Sequence, residues 1–248
     1  MERQEVAGAA GGGTPRDPWD LPDVSELTIG VLGGTGEQGR GLALRWAVAG
    51  QRVIIGSRQS ARAQTAASEL RTAASPRGTS VVGMSNEECA ASADVVLVAV
   101  PWSSHAETLA ALEGQLRGKI LIDCVNPLGF DKQGAFALAV PEGSAAEQAA
   151  GLLPDTTVVA AFHHVSAKVL ADLSIAEVPS DVLVLGDDRA ATDTVQALAA
   201  LIPSMRGVYA GRLRNAGQVE GLTANLIAIN RRYRAHSSVA VTGVPAPR

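Results

Sequence analysis

The chain has 248 residues, 46% hydrophobic and 19% charged, with a formal net charge of −4. A chain of this length and apolar content can bury a core without disulfide or metal staples, which argues against intrinsic disorder and a cysteine scaffold. The slightly acidic balance offers no electrostatic footprint for nucleic acid or an anionic membrane, so neither partner is expected.

Residues 1–25 include the run Ala-Gly-Ala-Ala-Gly-Gly-Gly from Ala7 to Gly13 and read as a flexible N-terminal tail. They lack the basic start and apolar block of a signal peptide. From Leu27 onward short β-branched runs alternate with helical stretches, the pattern of βαβ units and a parallel sheet. Strands are expected at Thr28 to Leu32, Arg52 to Gly56, Thr79 to Met84, Asp94 to Val100, Lys119 to Val125 and Thr157 to Phe162. Helices are expected from Gln38 to Ala49, closed by Gly50, and from Ser60 to Ser75, stopped by Pro76. Two more fall at about Ser104 to Leu116 and Ser144 to Leu153, the second stopped by Pro154. After Phe162 come His163, His164 and Lys168, a strand-like Asp181 to Leu185, a helix from Ala190 to Leu201, and a long last helix. The last helix places Val219, Leu222, Leu226, Ile229 and Tyr233 on one apolar stripe. The expected fold is α/β: a Rossmann-type doubly wound parallel sheet over 26–162, then a small, mostly helical C-terminal domain over 163–248.

Cys89 and Cys124 stand alone, which supplies neither a thiolate zinc site nor a Cys-x-x-Cys pair, and the plain expectation is a reduced, cytoplasmic protein with no metal. The longest apolar stretch, Val95 to Trp102, is far short of the roughly 20 residues of a membrane-crossing helix.

Gly34-Thr35-Gly36-Glu37-Gln38-Gly39 follows the first strand and opens the first helix, the context in which G-x-G-x-x-G signals a dinucleotide. The first Gly suits a tight turn, the second lets backbone N–H groups approach a pyrophosphate, and the third lets the helix pack on the strand. An NAD-selective domain places a carboxylate at the end of the second strand for the ribose hydroxyls. Here the chain has Gly56-Ser57-Arg58, with Arg62 one helical turn on. A hydroxyl and two guanidinium groups suit a 2′-phosphate, so the expected cofactor is NADP(H).

The run Ile29 to Gly36, then Gly39-Arg40-Gly41-Leu42-Ala43-Leu44 and Gly56-Ser57-Arg58, resembles the NADP reductases that use the deazaflavin coenzyme F420. Val100-Pro101-Trp102, Asn126-Pro127-Leu128, Phe162-His163, Arg214-Asn215 and Asn230-Arg231-Arg232-Tyr233 look like the same family, and the resemblance covers about residues 27–244. It implies reversible hydride transfer between the nicotinamide C4 of NADP(H) and C5 of the deazaflavin, with the two rings stacked in one cleft. Such chemistry asks the protein for positioning and exclusion of water, and no catalytic nucleophile is expected. The family's contacts carry over to Thr35, Gly36, Glu37 and Gln38 at the pyrophosphate and to Ser57, Arg58 and Arg62 at the 2′-phosphate. Trp102 and Ala167 match the nicotinamide half, His163 and Val165 flank the ring-stacking cleft, and Ser238 matches a position near the deazaflavin that is usually apolar. Asn126 and Pro127 complete the expected cofactor-binding set, while His105 has no assigned role.

Adjacent side chains on a strand point to opposite faces, so at most one of His163 and His164 should reach the cleft. Lys168 reads as an exposed helix lysine. Between Arg212 and Arg234 stand five arginines against one carboxylate, Glu220, a local excess suited to steering an anion such as the deazaflavin's glutamate tail or, more plainly, a solvated helix end. The last helix suggests a homodimer interface. The competing functions are an NADPH-dependent reductase of a small carbonyl or imine and a non-enzymatic NADP(H)-binding sensor. A short-chain dehydrogenase needs Tyr with Lys four residues later, but Leu213 follows Tyr209 at that spacing and Ser237 follows Tyr233.

Overall fold

A computed structural model describes residues 17–75 and 80–245. The elements are β1 (Thr28–Leu32), α1 (Glu37–Ala49), β2 (Arg52–Ser57), α2 (Ser60–Ala74), β3 (Val81–Ser85), α3 (Asn86–Ser92) and β4 (Val95–Val98). There follow α4 (His105–Ala110), α5 (Glu113–Leu116), β5 (Ile120–Asp123), a hairpin of β6 (Leu128–Asp131) and β7 (Gly134–Ala137), α6 (Ala145–Leu152) and β8 (Thr157–Ala160). The chain ends with α7 (Ala167–Ala171), β9 (Ser180–Gly186), α8 (Arg189–Ala200), β10 (Met205–Gly211) and α9 (Ala216–Tyr233). Pro76 and Thr79 lie outside the described residues, as do residues 1–16 of the expected tail.

Eight strands form one sheet in the order β10-β9-β8-β5-β4-β1-β2-β3, parallel except where β8 meets β9. Alternation along each strand sends neighbours to opposite faces, and both faces are covered. Val31, Ile55, Leu97, Ile122 and Val159 join the core on one side, with Trp46 of α1. Leu32, Ile54, Val98, Leu121 and Val158 join the core on the other, with Leu109, Leu112 and Leu116. These leucines form the stripe expected of one helix from 104 to 116, but the chain steps at Leu112 (φ −114°) and gives α4 and α5 instead.

The C-terminal region is mostly helical as expected, in α7, α8 and α9, and its two strands, β9 and β10, extend the same sheet. Residues 17–25, read as the end of the tail, lie against the body: Val24 is buried in the core, Leu21 packs on it, and the Gln51 amide donates to the Val24 carbonyl at 2.7 Å. The stripe on α9 is divided. Val219 and Leu226 are buried, whereas Ile229 and Tyr233 are exposed.

Candidate active site

Strand order reverses between β1, which leads to β2, and β4, which leads to β5, so the carboxyl ends of β1 and β4 bound the crevice where open α/β sheets bind ligands. Two cavities open there and share Ala99, Val100 and Pro101 as a common wall. The smaller, about 330 Å³, is lined by Thr35, Gly36, Ser57, Arg58, Arg62 and Asn86 among others. The larger, about 830 Å³, runs past Glu37, Gln38, Trp102 and Asn126 to the turn after β8, to α7 and to α9. Together they form one elongated cleft across the mouth of the sheet.

The turn after β1 leads into α1 without a side-chain cap; Gly36 is the N-cap, with extended backbone. The first-turn N–H groups of a 13-residue helix are therefore left for a ligand at the junction of the cavities. The left-handed residue of the turn is Gly33 (φ +76°), one position before the fingerprint, and a Cβ there would stand 2.6 Å from the Ala99 carbonyl oxygen. Gly34 instead packs on Ile55, so the expected role of the first fingerprint glycine belongs to its predecessor. Gly39 behaves as expected: a Cβ would press on Val31 and Ala99, so the residue brings α1 down onto the sheet.

At the small cavity, Ser57 ends β2, is nearly buried, and accepts a hydrogen bond from the Gln59 N–H at 3.3 Å. Arg58 and Arg62 are exposed and, among the described residues, pair with no carboxylate. Two free guanidinium groups beside a hydroxyl make an anion site.

The large cavity is shaped by the turn after β8. Phe162 adopts φ +65°, a conformation that costs a non-glycine residue about 1 kcal/mol or more and persists only where its surroundings enforce it. Its ring is fully buried in edge contact with Trp46 at 5.6 Å, and its carbonyl accepts from the Gln38 side chain at 3.2 Å. The His163 carbonyl accepts from Asn126 Nδ2 at 2.9 Å and Thr223 Oγ1 at 3.1 Å, tying the turn to the β5 exit and to α9. β8 ends at Ala160 and the left-handed Phe162 lies in the turn that follows, so alternation no longer applies and both His163 and His164 line the cavity, contrary to the expectation that at most one could. Burial pushes both imidazoles down to about 4, so both are neutral at physiological pH. His164 Nε2 accepts from the Leu183 N–H at 3.2 Å. Neither ring nitrogen of His163 has a partner of normal geometry, and the Asn126 amide oxygen is likewise buried without one. Unpaired polar atoms in a cavity wall mark where a ligand's polar groups belong.

The far wall of the cavity, Val165, Ser166, Ala167 and Lys168, is held by Arg45 of α1. The buried Arg45 guanidinium donates to the carbonyls of Val169, Leu170, Asp172 and Ile175 at 2.7–2.9 Å, clamping the C-terminal end of α7. Lys168 is exposed, as expected, yet it stands at the cavity rim. Pro127, expected among the cofactor contacts, lines neither cavity; its carbonyl accepts the Leu138 N–H at 2.9 Å and closes the β6–β7 hairpin. Ser238 does not line the cavity: it is exposed and donates its hydroxyl to the Pro179 carbonyl at 3.1 Å, while its neighbour Ser237 takes the lining position.

Sequence reasoning missed Thr223, Leu226, Ile227 and Asn230 of α9, and Arg234, Ala235 and His236 after it, all of which line the large cavity. The Leu226 stripe signalled burial but not a ligand wall. Nor do the five arginines form one cluster. Arg212 pairs with Asp187 at 3.5 Å near the start of α9, Arg231 and Arg232 stand at its other end, and of the five Arg234 alone lines the cavity.

Comparison with known proteins agrees with this geometry. Residues 28–127 match the family model described as "NADP oxidoreductase coenzyme F420-dependent". The chain is 42% identical over 227 residues to the F420-dependent NADP reductase of Methanothermobacter thermautotrophicus, covering 90% of this chain and 97% of that one. It is 35% identical to the enzyme of the same name from Methanocaldococcus jannaschii, covering 84% and 94%. A crystal structure of a proposed F420-dependent NADP-reductase from an Arthrobacter species superposes with a TM-score of 0.70 at 27% identity, covering 87% of this chain and all of that one. A cleft with an arginine-bearing end and a second, larger cavity, on a chain that matches these relatives over most of its length, leads to one assignment: the chain belongs to the family of F420-dependent NADP reductases.

Proposed function

We propose that the chain passes a hydride reversibly between NADP(H) and the deazaflavin coenzyme F420. The observation that carries this reading is the continuous cleft, whose small cavity suits a 2′-phosphate and whose large cavity exceeds what a nicotinamide ring needs. When both cofactors are bound, they supply the chemistry, hydride moving between the nicotinamide C4 and the deazaflavin C5. The protein holds and aligns them. The first-turn N–H groups of α1, at Glu37 and Gln38 with Thr35 and Gly36 before them, receive the pyrophosphate; Ser57, Arg58 and Arg62 receive the 2′-phosphate. The unpaired Asn126 oxygen and His163 nitrogens offer hydrogen bonds to a ring's polar substituents, a carboxamide in the case of nicotinamide. Trp102, Val165, Ala167 and Leu226 wall the rings and exclude water. His163 acts as a neutral ring contact rather than as a proton carrier. The test is to mix the pure protein with NADPH and oxidised deazaflavin and follow the deazaflavin's visible absorbance. Bleaching is expected, with FAD and FMN left oxidised. No bleaching, together with NADPH-dependent reduction of a small carbonyl or imine, favours the other reductase class. Dinucleotide binding with no turnover favours a sensor.

The exposed Phe130, Phe136, Ile229 and Tyr233 on the hairpin and α9 support a homodimer through these elements, which sedimentation of wild type and Tyr233→Glu checks. Both cysteines are buried free thiols, and among the described residues no helix is long and apolar enough to cross a membrane; both facts fit a cytoplasmic enzyme.

A further inference from the structure

Beneath the large cavity lies a buried polar cluster that none of these assignments uses. His105, at the start of α4, is fully buried, and both of its ring nitrogens face oxygen: Nε2 is 2.8 Å from Asp123 Oδ2 and Nδ1 is 3.0 Å from Gln148 Oε1. Gln148 donates its amide N–H to Glu142 at 3.2 Å, which leaves its oxygen for the imidazole. A neutral imidazole has one N–H and cannot donate to two acceptors; an imidazolium can. The buried carboxylate of Asp123 supplies the balancing charge.

The pair stands behind two walls of the cavity. The Trp102 ring lies 5.4 Å from the His105 ring at a tilt of 34°. Asp123 Oδ1 accepts the Val125 N–H at 2.9 Å and so shapes the turn that presents Asn126. We propose that His105 is a positioning residue of the ring cavity: as the cation of a buried pair with Asp123, it fixes the Trp102 ring and the 123–126 turn and cancels the carboxylate's charge beneath the cavity.

The groups that face His105 come from three sides: Asp123 from β5, Gln148 from α6 with Glu142 behind it, and Glu220 from α9. Glu220 is itself buried and accepts the N–H groups of Ala145 and Ala146 at 2.9 and 3.2 Å. Burial alone would lower the His105 imidazole, but the hydrogen bond and charge of Asp123 and the hydrogen bond of Gln148, joined by Glu220 once it ionises, outweigh it and the net direction is up. His163 feels the same carboxylate from the cavity side. Without the His105 cation, Asp123 is left uncompensated, and His163 becomes a group that can take up a proton.

The experiment is carbon–proton NMR of the imidazole rings in the full chain, whose four histidines are His105, His163, His164 and His236. In wild type, His105 should show a doubly protonated ring at neutral pH while His163 stays neutral. In His105→Gln the His163 midpoint should rise by about one pH unit or more, and adding Asp123→Asn should return it to the wild-type position. In the hydride-transfer assay His105→Gln should lower kcat about tenfold, with the KM for NADPH within about twofold because the 2′-phosphate site is elsewhere, and a new ionisation should enter the kcat–pH profile. This kinetic arm rests on the function proposed above; the NMR arm does not. An inert protein with the expected titrations would refute hydride transfer and still support the role of His105. A neutral His105 ring in wild type overturns the proposal, as does an unmoved His163 midpoint in a folded His105→Gln protein. Should that variant not fold, the wild-type titration and the double variant decide.

Discussion

Arg58→Ala should separate the two nicotinamide cofactors. Arg58 and Arg62 are exposed and free of described carboxylate partners, so truncating either removes no interaction within the protein and should leave stability within about 0.5 kcal/mol of wild type. What is lost is the contact with the ligand's phosphate. A charge-assisted bidentate contact at a cavity with Ser57 as a nearly buried neighbour is worth about 2 kcal/mol, or roughly 30-fold in the KM for NADPH. NADH lacks the phosphate and should change by less than about twofold. Arg62, one turn along α2, should contribute about 1 kcal/mol, and the double variant roughly the sum if the two act independently. The assay is steady-state deazaflavin reduction with each dinucleotide varied, alongside a melting curve for each variant. If wild type uses NADH as well as NADPH, or if Arg58→Ala weakens both equally, the assignment of Ser57, Arg58 and Arg62 is wrong.

Removing the ring contact in His163→Ala should lower turnover by less than about tenfold and leave the pH–rate profile unchanged above pH 5, because an imidazole held near 4 is already neutral there; loss of an ionisation near neutrality would make it an acid or base instead. Arg45→Met leaves four carbonyls without their donor and should cost about 3 kcal/mol, read as a fall in Tm of about 6–12 °C, together with looser binding at the α7 wall. His163 and His164 sit at about 4 against an ordinary 6.5, so the unfolded chain binds two more protons in that window and stability rises with pH. Burial raises Glu220 to about 7 from 4.5, so there the folded chain binds one more proton and stability falls as pH rises. The net between about pH 4.5 and 6.5 is one proton, a gain of about 1.4 kcal/mol per pH unit, and Glu220→Gln should double that slope in urea unfolding. An unchanged slope in the variant would show that Glu220 does not hold its proton in the folded state.

The dinucleotide half of the molecule was readable because its signals are local. A fingerprint between a strand and a helix, and the residues after the second strand, occupy the same cleft however the rest of the chain folds. The ring cavity was less legible, since residues as far apart as Glu37 and Ser237 build it: Asn126 meets the His163 carbonyl, and Thr223 reaches the same carbonyl from α9. No sequence pattern announces that β8 stops at Ala160 and that a buried phenylalanine then turns left-handed, yet these two features remove the rule that separates His163 from His164. β10 escaped notice because Met205–Gly211 carries two glycines and an arginine, a weak strand signal by itself. It forms because β9 offers a parallel edge and α8 covers it. His105 was visible as a residue and invisible as a pair, its partners lying 18 and 43 positions away.

The central claim is direct hydride transfer between two cofactors aligned in one cleft, and a single-turnover label experiment tests it most directly. NADPH deuterated at the transferring C4 position is mixed with the protein and oxidised deazaflavin, and the reduced product is examined by mass spectrometry and NMR. The account predicts one deuterium at the deazaflavin C5, in wild type and in His163→Ala alike. Loss of the label to solvent within that turnover, or an unreduced deazaflavin beside consumed NADPH, would contradict it.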